Sequence, residues 1–178
     1  MIWFFLLSGL FLGWSTGAND AANIFGTAVA SRMVPFARAA LIASVFVTLG
    51  AVVSGAGTTA TLGELGAVDA LAGAFTVALA AALAVTGMTL LRLPVSTSQA
   101  IVGAIVGWNF FTGTATDYRV LGKIVSTWVF SPVLAAVVAM VLFVWTRRAI
   151  RRSKMHMLRL DAWTRLALIV VGAFGAYS

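Results

Sequence analysis

Long apolar runs separated by short polar or turn-forming stretches make up nearly the whole chain. Crossing about 30 Å of hydrocarbon takes about 20 residues of helix. The first run, residues 2–30, meets that length and carries Ser15, Thr16, Gly17, Ala18, Asn19 and Asp20 in its middle, which predicts a helix interrupted there. It is too long for a cleaved signal and lacks a basic start. A second run covers 37–54, and residues 55–66, rich in Gly and Thr, read as a loop. The third covers 71–91 and is Ala-rich. Arg92-Leu93-Pro94 ends it, because proline pushes the preceding residue out of helical conformation and suits the first turn of a new helix. A fourth, shorter segment is expected from 94 to 111, a polar connection over 112–118, and a fifth helix from 120 to 145 with a bend at Ser131-Pro132. A last apolar run occupies 166–177.

Composition turns these runs into membrane spans. Of 178 residues 61% are hydrophobic and 10% charged, with a mean hydropathy of +1.03. Soluble domains hold about 25% charged residues, so the solvent expected here is lipid. With no Cys there is no disulfide scaffold, thiolate metal site or Cys nucleophile. The net charge is +7, concentrated in Arg147, Arg148, Arg151, Arg152, Lys154, Arg159 and Arg165. No aromatic platform or finger pattern accompanies that cluster, so it reads as a topology signal and not as a nucleic-acid surface. If all five segments cross and residues 147–165 are cytoplasmic, Arg32, Arg38 and Arg92 also fall inside, while Glu64, Asp69, Asp117 and the N-terminus fall outside. Were residues 94–111 a re-entrant hairpin, Arg92 and the basic cluster would lie on opposite sides. Five crossings satisfy the positive-inside rule better. A second copy of a five-crossing unit would enter the membrane upside down, as in inverted-repeat transporters. The expected organisation is a first transmembrane repeat over 1–146, a basic cytoplasmic segment over 147–165, and the start of a further helix over 166–178.

Two polar constellations interrupt the apolar sequence. Asp20 lies inside the first span, where an ionisable side chain costs roughly 2.5–3.5 kcal/mol and usually faces a pathway. Asn19 and Asn23 lie at i, i+4 beside it. Carboxylate and amide oxygens with carbonyls freed by a helix break suit a hard cation. An early helix end, or a plain packing face of Gly17, Ala18, Ala21, Ala22 and Gly26, is the simpler alternative. It explains the small residues and leaves the Asp and the two Asn unexplained. The second constellation is Ser96, Thr97, Ser98 and Gln99 after Pro94. A helix start offers unpaired N–H groups and a partial positive charge, and hydroxyls add donors without adding charge. One hydroxyl would serve ordinary capping; four consecutive polar residues point to an anion. The sequence therefore predicts an anion carried together with a cation.

At these residues the chain resembles the inorganic phosphate transporter (PiT) family of sodium- or proton-coupled symporters. Gly17-Ala18-Asn19-Asp20-Ala21-Ala22-Asn23 is similar to the family's first signature. The run from Leu93 through Ser96-Thr97-Ser98-Gln99 to Gly107 resembles its second characteristic stretch, and Ser126-Thr127-Trp128-Val129-Phe130-Ser131-Pro132 a third. The resemblance implies an all-α membrane protein, one half of an inverted-repeat transporter with about five transmembrane helices and broken helices at the substrate site. It implies that Asn19, Asp20 and Asn23 hold the coupling cation, sodium or proton, and that Ser96, Thr97, Ser98, Gln99 and Asn23 hold inorganic phosphate. No other cofactor is expected. The expected partners are membrane lipid and a second, complementary repeat, and the expected location is the plasma membrane. An oligomeric anion channel and a non-transporting membrane partner subunit are the competing readings. No Ser-His-Asp, zinc or paired-carboxylate arrangement occurs, which argues against an enzyme.

Overall fold

The computed structural model describes residues 2–65, 71–152 and 156–177. They form six helices: α1 (Ile2–Ala30), α2 (Phe36–Leu65), α3 (Leu71–Leu90), α4 (Thr97–Thr112), α5 (Tyr118–Arg152) and α6 (Met157–Tyr177). Among the described residues there is no strand. Three helices are long and apolar enough to cross a membrane: α2 over Phe36–Gly57, α3 and α5.

Several sequence expectations are corrected. The first helix is not interrupted: α1 runs through Ser15–Asp20 without a gap, so its carbonyls stay in the helical ladder. Residues 55–65 are helical as well, extending α2 to Leu65. Thr59 and Thr61 each turn a hydroxyl onto the carbonyl four residues back, at Gly55 and Gly57, and so remain compatible with helix. The fourth helix starts at Thr97 and not at Pro94. The basic stretch is divided between the end of α5 and the start of α6, with residues 153–155 outside the described set.

The ends of α1 and α3 are built alike. Arg32 N–H donates to Val29 O and Met33 N–H to Ala28 O; Arg92 N–H donates to Thr89 O and Leu93 N–H to Met88 O, all at 2.9–3.0 Å. This is the Schellman pattern, in which the residue after the cap takes a left-handed conformation. Arg32 and Arg92 both do so, at φ 58°. Glycine usually occupies such positions because a Cβ there costs roughly 1–2 kcal/mol.

Contacts at matching depths fix the helix directions. Phe75, near the start of α3, stacks on Phe4 near the start of α1 with ring centroids 5.1 Å apart. The far end of α3 leads to Val95, which bonds Asn19. Thus α1 and α3 run the same way. Leu168 and Ile169 of α6 pack on the cluster of Phe25, Ala28, Val34, Ala39 and Ala43, while Tyr177 lies against Gly50. Hence α6 runs parallel to α2. Arg32, Arg38 and the basic start of α6 therefore gather at one end of the bundle.

Glycines set the helix separations. A Cβ at Gly172 would enter the ring of Phe25, and one at Gly50 would strike the Tyr177 carbonyl. One at Gly73 would lie 2.8 Å from Cζ2 of Trp108. In contrast, α5 has no buried residue, and Val129, Phe130, Val133 and Leu134 project outward. Lipid removes the penalty such a surface would carry in water.

Gly73→Ala should loosen the α3–α4 contact and cost about 1–3 kcal/mol through overpacking. Gly87→Ala, with nothing within 4 Å of the added Cβ, serves as the control. Thermal unfolding of both variants in detergent should show a lowered midpoint for Gly73→Ala alone.

Candidate functional site

After the cap at Arg92 the chain does not leave the bundle. Three residues on, the side-chain amide of Asn19 on α1 donates to Val95 O at 3.1 Å. Asn19 lies eleven residues before the end of α1, roughly 16 Å along the helix axis. So α4 begins at mid-depth, preceded by non-helical residues 93–96. The break foreseen in α1 belongs to this connection instead.

Ser96 caps α4 with extended backbone (φ −91°, ψ 119°), and its hydroxyl accepts the Gln99 N–H at 3.4 Å. The Ser96 and Ser98 hydroxyl oxygens are 3.0 Å apart. By helix geometry the N–H groups of Thr97 and Ser98 also lack intrahelical acceptors. The result is a donor-rich helix start without a formal charge, half-buried at Ser96 and Thr97 and exposed at Ser98 and Gln99.

The residues expected to share one site divide between two faces of α1. Asn19 is 4% exposed and points to the α3–α4 connection. Its amide also donates to Asp20 Oδ1 at 3.2 Å. Asp20 and Asn23 open into a cleft of about 590 Å³ between α1, α2 and α6, lined as well by Thr16, Ser54, Gly55, Thr59 and Tyr177. Ser96, Thr97, Ser98 and Gln99 do not line it. A larger cleft of about 780 Å³ between α1 and α2 is walled mostly by Gly, Ala and other apolar residues, with Ser44 and Thr48, and no ionisable side chain lines it.

Sequence reading missed the α2 wall. Gly- and Thr-rich composition reads as loop at Thr59, and the second apolar run ends at Ser54. The signal available was on α1: Thr16, Asp20 and Asn23 stand at i, i+4, i+7, one polar stripe that needs a polar facing surface. Also missed was Asn109, 1% exposed, whose Nδ2 donates to Thr116 Oγ1 at 3.0 Å and pins the end of α4 to the connection that follows. There Asp117, outside the spans, accepts the Arg119 and Val120 N–H groups, and these bonds hold its carboxyl below the usual carboxylate range.

Comparison with known proteins identifies the family. The sequence profile described as "Phosphate transporter family" matches residues 16–175. The chain belongs to that family. A Plasmodium falciparum protein named sodium-dependent phosphate transporter is 33% identical over 86% of this chain and 25% of its own length. An Arabidopsis thaliana protein named inorganic phosphate transporter 2-1, chloroplastic, is 33% identical over 80% of this chain and 26% of its own. A Pyrococcus horikoshii protein bearing a phosphate permease name is 31% identical over 94% of this chain and 45% of its own. The chain thus spans less than half the length of each. No solved structure matches it.

Asn19→Ala should leave the Val95 carbonyl without its donor, at a cost of about 1–3 kcal/mol. Asn19→Asp should be worse, since a carboxylate would face both that carbonyl and Asp20. Unfolding midpoints of the two variants in detergent, falling in that order, are the expected result.

Proposed function

We propose that the chain is one half of a carrier that moves inorganic phosphate across the membrane together with a cation, sodium or proton. The observation that carries this reading is the Asn19 amide, which bonds both the carboxylate of Asp20 and the carbonyl preceding the α4 start. Two constellations 76 residues apart in sequence meet through one side chain. On this reading phosphate binds at Ser96, Thr97, Ser98 and Gln99, where backbone and hydroxyl donors and the positive helix end compensate its charge. The cation binds at Asp20 and Asn23, with Asn19 coupling the two sites. One unit provides one wall of the phosphate site, and a complementary unit of opposite orientation provides the other.

Five crossings before α6, with the basic cluster cytoplasmic, fit the parallel run of α2 and α6. A chain that crosses through α1, α2, α3, the 93–112 segment and α5 brings α6 in from the side where α2 begins. A re-entrant 93–112 segment would bring it in from the other. The sixteen-residue α4 is roughly 24 Å long and reaches the far face because it starts at mid-depth after an extended segment. In a channel, phosphate flux would not depend on the cation.

Two outcomes are expected. Labelled-phosphate uptake into proteoliposomes holding this chain and its complementary unit should be saturable and cation-dependent, and Asp20→Asn should abolish the cation dependence while insertion persists. Uptake of the same size from the chain alone would remove the need for a second unit. A single Cys at Ser153, in a chain with no native Cys, should react with a membrane-impermeant reagent only after the cytoplasmic face is opened.

A further inference from the structure

We infer that the end of α5 is a binding site for the phosphate groups of anionic phospholipids, formed by Arg147, Arg148, Arg151 and Arg152. The inference does not depend on the carrier reading; it needs only that α5 lies in a bilayer.

Depth is the first argument. Residues 124–146, between Lys123 and Arg147, carry no charge. As helix they measure roughly 34 Å, which matches a hydrocarbon layer of about 30 Å. Trp145, 69% exposed, stands at the boundary, where indole rings are commonly seated. α5 continues to Arg152, so the four arginines lie in the headgroup layer within the next two turns. All four are exposed and α5 has no buried residue, so no other helix of the chain screens them from headgroups.

Arrangement is the second. Successive residues turn by about 100°, so positions 147, 148, 151 and 152 fall within an arc of about 140°, a single stripe. Arg147 and Arg151 stand at i, i+4, as do Arg148 and Arg152, about 5–6 Å apart at Cβ. Two guanidinium forks at that spacing can close on one phosphate. Orientation of the chain by charge asks for neither feature, since it is satisfied by lysine as well as arginine and on any face.

Compensation is the third. Among the described residues the one salt bridge joins Arg165 to Asp161, and none of the four takes part in it. The opposite end of α5 differs: there Asp117 accepts the Arg119 N–H at 2.8 Å and places a carboxylate beside the basic residues. The stripe keeps four positive charges. Basic clusters of this size beside a membrane span attract anionic lipid headgroups.

The test is binding of a fluorescent phosphatidylglycerol, against a phosphatidylcholine bearing the same label, to the purified chain in nonionic detergent, followed by anisotropy. Detergent has no inside or outside, so loss of binding cannot come from reversed insertion. The glycerol lipid should bind about tenfold or more tighter than the choline lipid, and added salt should narrow the difference. Arg147→Gln with Arg151→Gln should weaken the glycerol lipid about fivefold or more, with helicity by circular dichroism unchanged. Arg147→Lys with Arg151→Lys, which keeps the charge, should lose less. Arg119→Gln with Lys123→Gln, at the other end of the same helix, should leave the selectivity as it is. Equal affinity for the two lipids, or full selectivity with all four arginines changed to Gln, would overturn the site. An equal loss in the Arg119 and Lys123 variant would overturn its location. Displacement of the lipid by millimolar inorganic phosphate and not by sulfate at equal ionic strength would show a site for the free anion and overturn the lipid assignment.

Discussion

The amide of Asn19 is the constraint from which the rest of the site follows. A stretch of non-helical backbone cannot sit inside an apolar bundle unless its polar groups find partners, because no water is there to take them. Residues 93–96 are non-helical and half-buried at Val95 and Ser96, and the Val95 carbonyl finds its donor on α1. That bond holds the start of α4 at mid-depth. It also uses the face of α1 that carries Asn19, leaving Asp20, about 100° further round the helix, directed at α2 and α6. An aliphatic residue in place of Asn19 would leave the carbonyl orphaned and separate the two polar centres electrically as well as sterically.

Close approach between helices rests on absent side chains. Gly172 against Phe25, Gly73 against Trp108 and Gly50 against Tyr177 are three contacts in which a single methyl would push helices apart. In lipid the hydrophobic effect does not draw helices together, so van der Waals fit and hydrogen bonds carry the association. The glycines are placed where that fit is tightest. α5 follows the opposite rule: bulky apolar side chains throughout, none buried, and a basic terminus of Arg147, Arg148, Arg151 and Arg152.

Much of this was legible in the sequence. Helix existence followed from apolar length, and the end of α3 was marked by Arg92-Leu93-Pro94. The Asp20 and Ser96 constellations stood out because polar residues are costly where they lie. What was not legible has physical reasons. Gly and Thr in residues 55–65 carry turn propensity in water. In an apolar medium the backbone must satisfy itself, and the threonines do so by bonding their own helix. Local signals likewise could not tell a break in α1 from one before α4, since the deciding interaction is a bond between residues 76 apart. Left-handed arginines at 32 and 92 were equally hidden, because turn chemistry favours Gly there. Arginine retains a positive charge at the C-terminal, partially negative end of each helix. Topology and local strain thus favour different residues, and at both caps the charge prevails.

The separation of the cleft from the α4 start bears on the order of binding. With Asp20 ionised and the cleft empty, an anion arriving at Ser96 would meet a second negative charge inside the bundle. At the low effective dielectric of a protein interior that repulsion weakens binding of the anion. Under the carrier proposal, a cation on Asp20 would remove it, and the anion would then meet only neutral donors and a helix end. Under the same proposal, donors at 96–99 without formal charge would release phosphate once the cation leaves, so that cation-first loading and joint release would go together.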